Sequence, residues 1–267
     1  MRVLFIGDVF AKPGRRAVAL LLPRLRGELA LDLVVVNGEN SAGGAGITHA
    51  TARELFAAGA DLITTGNHVW HQREALAYLP TTNRVLRPLN YPPGTPGAGA
   101  TVCPVGEAKT PVLLLNVLGR VFMAPLDDPF RALDEALTGH EGAAKIIIVD
   151  VHAEATSEKR ALGFYLDGRV SLVVGTHTHV PTADAQVLPL GTAYVTDVGM
   201  VGPLHSVIGA AVDPVIARFR TALPRRSEPA DSVAVQFNSV LTEIDDDTGR
   251  ARSITRVDHV VTLPGAS

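Results

Sequence analysis

Short apolar runs alternate regularly with helical patterns along the 267-residue chain. The apolar runs are rich in Val, Ile and Leu, and they predict strands at 2–6, 33–37, 61–64, 112–116, 145–149, 172–174 and 193–196. Patterns with a helical period predict helices at about 14–28, 48–58, 72–79, 129–139 and 155–162. Strands that alternate with helices in this way indicate β-sheets covered by helices.

The C-terminal part of the sequence departs from this alternation. Residues 232–244 and 252–262 flank the segment DDDTGR, and this arrangement predicts an antiparallel hairpin. A wholly parallel sheet is therefore disfavoured, and an α/β sandwich of two sheets fits better. The segments 87–100 and 223–229 are short enough to be surface loops, so we predict a single domain over residues 1–267.

Composition narrows the class of protein. A formal net charge of −3 gives no basic footprint for duplex DNA or long RNA, although a small phosphorylated ligand remains compatible with it. Cys103 is the only cysteine, which excludes an intramolecular disulfide and a thiolate zinc site. The N-terminal apolar run reaches Asp8 too early for a signal peptide, and no run approaches the roughly 18 apolar residues of a membrane span. We predict a cytoplasmic protein with no membrane partner; a homo-oligomer is expected from base rates alone.

Polar side chains follow five of the predicted strands at the point where each strand ends. They are Asp8, Glu39 with Asn40, Asn67 with His68, Asp150 with His152, and His177 with His179. Open α/β sheets place their sites beyond the carboxyl ends of the strands, so we expect these side chains to lie together. A glycine directly precedes Asp8, Glu39 and Asn67, which permits a tight turn and a close backbone approach.

The number and kind of these side chains favour two metal ions over one. Asp150 aside, the set holds two carboxylates, two amides and three or four imidazoles, which are too many ligands for a single tetrahedral zinc. Mixed oxygen and nitrogen ligands suit two divalent ions about 3.5–4 Å apart, and a carboxylate such as Glu39 can bridge them. In an extended segment His177 and His179 point to the same side, which predicts one histidine for each ion. Taken singly, Asp8 and Asn67 read as turn formers and His152 as a buried histidine; the repetition over five strands favours a site.

Five motifs together resemble the YmdB-type bacterial metallophosphoesterases of the calcineurin-like superfamily. The motifs are GDVF, GEN, GNHVW, DVHAEATSEK and GTHTHVPTAD, which run in the family's order from residue 7 to about residue 184. The segment TDVGMVGPLHSVIG at 196–209 extends the resemblance to most of the chain. The resemblance implies an α/β fold, a four-layer α/β/β/α sandwich of two mixed sheets. It also implies two divalent or mixed-valence metal ions, with iron or manganese as the usual metals.

The resemblance also implies roles for single residues. Asp8, Glu39, Asn40 and His179 would hold one ion, and Glu39, Asn67, His152 and His177 would hold the other. His68 would be the catalytic histidine. Where the wider superfamily has Asp-x-His, position 10 is Phe10, and Gly38-Glu39-Asn40 replaces Gly-Asp-x-x-Asp. Both departures are characteristic of the YmdB-type branch.

The activity that the resemblance implies is hydrolysis of small phosphodiesters, above all 2′,3′-cyclic nucleotides, with 3′,5′-cyclic nucleotides as a second class. Metal-activated hydroxide would attack phosphorus while His68 protonates the departing alkoxide. Two alternatives stay open. One is a metal-dependent hydrolase of another bond, which the absence of a lysine at a strand end disfavours; the other is a regulatory nucleotide-binding protein with weak activity. Thr156, Ser157, Lys159 and the glycine-rich loop at 43–46 are candidate substrate contacts. Helix capping explains Thr156 and Ser157 as well, and a loop that shapes the pocket explains 43–46 as well.

Overall fold

Parallel strands form the centre of the structure, a computed structural model that describes residues 1–226 and 228–264. The strands are β1 (Arg2–Ile6), β2 (Asp8–Val9), β3 (Leu33–Asn37), β4 (Leu62–Thr64), β5 (Val85–Leu86), β6 (Ala100–Val105), β7 (Thr110–Leu118), β8 (Ile146–His152), β9 (Leu172–Thr176), β10 (Gln186–Val187), β11 (Ala193–Val195), β12 (Met200–Pro203), β13 (Ala234–Phe237), β14 (Ser239–Ile244), β15 (Ala251–Arg256) and β16 (His259–Thr262). The helices are α1 (Ala11–Glu28), α2 (His49–Ala57), α3 (Ala75–Tyr78), α4 (Pro129–Gly139), α5 (Thr156–Leu166) and α6 (Val212–Thr221).

The two large sheets are both mixed. The first has the strand order β15-β14-β1-β3-β4-β5, in which β1, β3, β4 and β5 are parallel and β14 and β15 are antiparallel. The second has the order β10-β11-β9-β8-β7-β6, with four central parallel strands and an antiparallel strand at each edge. The carboxyl ends of the parallel strands of one sheet therefore share one edge.

Both faces of each large sheet are buried, which explains the continuous apolar runs in the sequence. In β1, Val3 and Phe5 pack in the core between the two sheets, whereas Leu4 and Ile6 pack against α1 and α2. The outer face of the second sheet packs against α4 and α5. The layers are thus helices, first sheet, second sheet and helices, and the predicted four-layer sandwich is confirmed.

The predicted C-terminal hairpin is antiparallel, but it does not stay within one sheet. β14 pairs with β15 in the first large sheet, whereas β13 pairs with β16 in a four-stranded sheet of order β16-β13-β12-β2. The first arm changes sheets at Asn238, whose carbonyl accepts from Gly7 N at 3.1 Å while its own N–H donates to Met200 O at 3.2 Å. The second arm changes sheets at residues 257–258. The antiparallel pairing predicted for 232–244 and 252–262 is confirmed, and each arm is divided between two sheets.

The strand and helix bounds differ from the predictions mainly at their ends. β8 continues to His152, so Asp150 and His152 lie within the strand and not beyond it, because β8 stays paired with β7 and β9 throughout. The helix predicted at 72–79 shrinks to α3, and a 3₁₀ turn at Leu79–Thr81 that contains Pro80 follows it. α6 was not predicted. Among the helices of the described residues, none is long and apolar enough to cross a membrane.

Candidate metal centre

The polar side chains that follow the predicted strands come together at one edge of the sheets. Asp8 lies in β2, Glu39 and Asn40 directly follow the turn after β3, Asn67 and His68 lie in the turn after β4, His152 ends β8, and His177 and His179 follow β9. Asp8, Glu39, Asn40, His152 and His179 are buried, while Asn67, His68 and His177 are half-buried. All eight are linked by the contacts described below.

One half of the cluster is centred on the ring of His152. Its Nε2 atom lies 3.1 Å from Glu39 Oε1, 3.0 Å from Asn67 Oδ1 and 3.1 Å from His177 Nδ1. A ring nitrogen carries at most one hydrogen, so hydrogen bonding cannot satisfy all three neighbours. Ligand atoms of Glu39, His152 and His177 lie within 4.8 Å of one another, an arrangement that can hold a metal ion.

Gly66 makes room for this half of the cluster. A Cβ atom at this position would overlap the His152 ring and Glu39 Oε2. Gly7 and Gly38 also lie where a Cβ would collide, with the Gly199 backbone and with the Ile63 side chain respectively. None of these three glycines has a positive φ, so none of them is required for a left-handed turn. Glycine precedes Asp8, Glu39 and Asn67 because neighbouring atoms leave no space for a Cβ.

The other half of the cluster consists of Asp8, Asn40 and His179. Asn40 Nδ2 lies 3.1 Å from both Glu39 Oε1 and His179 Nε2, so this half touches the Glu39 carboxylate as well. Asp8 Oδ1 is buried without a hydrogen-bond partner, since His179 Nε2 lies 3.6 Å away. An orphaned, buried carboxylate oxygen beside a histidine fits a cation ligand. Phe10 packs edge-on against the His179 ring, with ring centroids 6.0 Å apart.

The two histidines of GTHTH reach the cluster with a backbone conformation that differs from the predicted extended one. They lie beyond the end of β9, with φ values of 95° for His177 and 64° for His179, so the segment is not extended. Non-glycine residues rarely adopt the left-handed region, and such strain clusters at functional sites. The extended geometry was wrong, but each histidine does face a different half of the cluster.

The buried carboxylates raise the pKa of two of the four histidines in the cluster, whereas burial lowers it for the other two. Burial lowers the pKa of His179, but its interaction with the Asp8 carboxylate outweighs burial and raises the pKa to about 9. Burial lowers the pKa of His152 as well, but the Glu39 carboxylate outweighs burial, so the pKa of His152 rises overall. Burial and the neighbouring His152 lower the pKa of His177 to about 3, which leaves that ring in the neutral form that binds metals. Buried carboxylates, amide oxygens and imidazoles therefore fit divalent cations.

His68 lies at the exposed margin of the cluster. Its Nδ1 lies 2.8 Å from Asn40 Oδ1, and its backbone N–H donates to Glu39 Oε2 at 3.1 Å. Burial lowers the pKa of His68, and the Glu39 carboxylate partly opposes this. His71 is exposed and packs edge-on against the His68 ring at 4.6 Å, a neighbour that the sequence did not indicate as part of the site.

Two residues that support the cluster, Thr176 and Ile208, were not indicated by the sequence. His152 Nδ1 bonds to Thr176 Oγ1 at 2.8 Å, and that hydroxyl donates to Asp150 Oδ1 at 2.7 Å. Asp150 thus reaches the histidine through Thr176 and not directly. His179 Nδ1 bonds to the carbonyl of Ile208 at 2.9 Å. Partners of this kind fix the orientation of a metal-binding imidazole.

The structure favours structural roles for Lys159 and the glycine-rich loop at 43–46 over contact with a substrate. Lys159 is buried and its Nζ lies 2.7 Å from Asp197 Oδ2, so it does not face a substrate. Thr156 and Ser157 are exposed in the first turn of α5, whose N-cap is Ala155, so Thr156 does not cap the helix. In the glycine-rich loop, the N–H groups of Ala42, Gly44 and Ala45 donate to carbonyls of Gly46, Asn40 and Ala42, which favours a structural role for the loop.

The chain is similar to proteins of one family over nearly its whole length. The profile of the family described as YmdB-like protein matches residues 4–257. A 2′,3′-cyclic-nucleotide 2′-phosphodiesterase of Bacillus subtilis (strain 168) is 45% identical over 264 residues, which cover 97% of this chain and 99% of the relative. The crystal structure of a novel phosphatase from Mycoplasma pneumoniae has a TM-score of 0.92 at 35% identity and covers 99% of this chain and 95% of that one.

A more distant structure bears on the fold alone. The 5′-nucleotidase from Candida albicans has a TM-score of 0.56 at 13% identity and covers 96% of this chain and 50% of that one. The layers described above are therefore shared beyond close relatives. Family matches over residues 4–257 and 45% identity across almost the full length show that the chain belongs to the YmdB-like family of metallophosphoesterases.

Proposed function

We propose that this protein is a dinuclear metal-dependent phosphodiesterase that opens 2′,3′-cyclic nucleotides. The observation that carries the proposal is the convergence of three ligand-type atoms on His152 Nε2, next to a second group that contains the orphaned Asp8 oxygen. The Bacillus subtilis relative, 45% identical, supports the substrate class by its described activity.

The two halves of the cluster suggest how the ligands are divided. One ion would be held by Asp8, Glu39, Asn40 and His179, and the other by Glu39, Asn67, His152 and His177. Glu39 Oε1 contacts both groups, since it lies 3.1 Å from Asn40 Nδ2 and 3.1 Å from His152 Nε2, so Glu39 is the residue that the two ions would share. Mixed oxygen and imidazole ligands are compatible with manganese and iron, and we propose these metals.

When bound, two divalent ions make a water nucleophilic near neutral pH and neutralise charge on the phosphoryl oxygens. The chain's own contribution is a proton held by His68 at the exposed margin of the cluster. Asn40 Oδ1 engages Nδ1 at 2.8 Å, so Nε2 is the ring atom that can protonate the leaving oxygen. Burial lowers the pKa of His68, so only the protonated fraction of the rings carries an Nε2 proton, and that proton is then readily released.

Two sequence-level alternatives are less well supported. An amidohydrolase-type site uses a lysine ligand, and the buried Lys159 is instead bound to Asp197. A regulatory protein without activity would not require His68 beside the cluster. Cytoplasmic location and homo-oligomerisation rest on the sequence arguments and stay predictions.

The test is hydrolysis of 2′,3′-cyclic AMP by protein stripped with a chelator, with and without added Mn²⁺. We expect activity only after Mn²⁺ is added and none in the Asp8→Ala variant at any Mn²⁺ concentration. Metal binding without cleavage of any phosphodiester would contradict the proposed reaction and favour a regulatory role.

A further inference from the structure

The segment that carries His177 and His179 is fixed by a buried ion pair outside the cluster. Lys159 Nζ lies 2.7 Å from Asp197 Oδ2, and the side chains are only 1% and 0% exposed. The same carboxylate oxygen accepts from the Thr178 hydroxyl at 2.6 Å and from the Thr178 backbone N–H at 3.2 Å. Thr178 stands between the two histidines, so Asp197 holds the residue that joins them.

This segment needs such support because of its backbone. Left-handed φ values at His177 and His179 persist only where the surroundings over-determine them. Asp197 is itself immobilised, since its Oδ1 accepts from Gly199 N at 2.7 Å and its N–H donates to Thr182 Oγ1 at 2.9 Å.

The route of the Lys159 side chain also depends on a neighbouring glycine. A Cβ atom at Gly175 would lie 2.9 Å from Lys159 Cδ and would overlap the Thr196 carbonyl. Gly175 in the GTHTH motif therefore gives Lys159 the space to cross from α5 to Asp197. The lysine of the DVHAEATSEK motif and the glycine of GTHTH thus belong to one arrangement.

We propose that Lys159 and Asp197 are positioning residues that hold both histidine ligands through Thr178 and so set the affinity of the centre for its metal ions. The inference rests on the proposed dinuclear site. Lys159 neutralises the buried Asp197 carboxylate, and Asp197 fixes the backbone between His177 and His179 before a metal ion binds.

Thr178 allows the arrangement to be tested without breaking the buried ion pair. Thr178→Val keeps the shape of the side chain and removes the hydroxyl that donates to Asp197, whereas Thr178→Ser restores a hydroxyl. Mn²⁺ binding to chelator-stripped protein is measured by calorimetry, beside the thermal unfolding midpoint of the metal-free protein. We expect Thr178→Val to weaken Mn²⁺ binding about 10- to 100-fold, the range for a hydrogen bond to a charged group, and Thr178→Ser to restore it.

A second pair of variants tests the ion pair itself. Lys159→Met removes the positive charge beside Asp197. The matched control is Arg160→Met, which removes the positive charge of the next residue in α5. Arg160 forms a half-exposed salt bridge to Asp184 at 3.0 Å. We expect weaker Mn²⁺ binding only in Lys159→Met. Breaking a buried pair is strongly destabilising, so if Lys159→Met does not fold, Thr178→Val decides the question.

The outcomes separate this inference from the proposed function. Thr178→Val with wild-type Mn²⁺ affinity and a lowered metal-free midpoint would overturn the inference, because the contact would then support only the fold. Wild-type protein that binds no Mn²⁺ would overturn the dinuclear site and the inference together. If the wild-type protein binds two Mn²⁺ ions and Thr178→Val binds them more weakly, the result would support both the dinuclear site and the inference.

Discussion

At the scale of single residues, the site depends on side chains that differ in their role while lying close together. His68 touches Asn40 and Glu39, yet it is more exposed than most of the cluster and leaves one ring nitrogen free of that contact. This geometry suits a proton donor better than a ligand.

We predict that His68→Ala retains its metal ions and loses activity. Removal of a general acid costs typically about 10²- to 10⁴-fold in rate, so kcat toward 2′,3′-cyclic AMP should fall by that factor. His140→Ala, at the end of α4, is the control and should keep wild-type kcat. Metal content is measured by plasma mass spectrometry on the same samples; loss of an ion from His68→Ala would make His68 a ligand.

Gly66 gives a second prediction at this scale. A Cβ atom there would overlap the His152 ring and Glu39, so Gly66→Ala should lose at least one ion and most activity. Gly27→Ala is the matched control, because a Cβ at Gly27 in α1 meets nothing within 4 Å. The control should be neutral or more stable by about 0.5–1 kcal/mol. Equal metal content in both variants would contradict this account of the site.

The identities of the clustered residues could be predicted from the sequence, whereas their backbone could not. Polar residues after apolar runs indicate which side chains share a sheet edge. The left-handed segment of His177 and His179 is instead held by hydrogen bonds from His177 N to Asp8 and from Thr178 N to Asp197, partners that a local pattern does not indicate. The same holds for Ile208, whose carbonyl orients His179.

At the scale of the secondary-structure elements, the apolar runs predicted the central strands because both faces of those strands are buried. β12 was missed because it is short and contains Gly202 and Pro203, and β6 because it is a half-exposed edge strand that contains Pro104. α6 buries only Val215 and has Pro214 in its first turn, so the helical signal is weak. Short strands such as β12 form because neighbouring strands pair with them, and a local sequence pattern does not show that pairing.

Helix α2 gives a prediction that separates stability from function. Thr48 Oγ1 accepts from Thr51 N at 3.1 Å, and Thr51 Oγ1 accepts from Thr48 N at 3.0 Å, so the two residues form a capping box. Thr48→Ala should lower the free energy of unfolding by about 1 kcal/mol and leave kcat unchanged. Urea denaturation checks this, with Thr138→Ala on the exposed face of α4 as the control. An unchanged unfolding free energy for Thr48→Ala would show that the cap contributes nothing.

At the scale of the whole molecule, the sandwich brings together the proposed ligands from both of its large sheets. Glu39 and Asn67 follow strands of the first sheet, whereas His152 and His177 come from the second. The contact between Glu39 and His152 therefore joins the two sheets at the edge where their strands end. That residues 1–267 form a single domain stays a prediction, which the dependence of the site on both sheets supports.

The most direct test of the dinuclear centre is anomalous diffraction from crystals of the protein reconstituted with Mn²⁺, recorded at the manganese edge. We predict two peaks about 3.5–4 Å apart. One should lie against Asp8, Asn40 and His179, the other against His152 and His177, with Glu39 between them. A single peak, or two peaks that Glu39 does not bridge, would contradict the account.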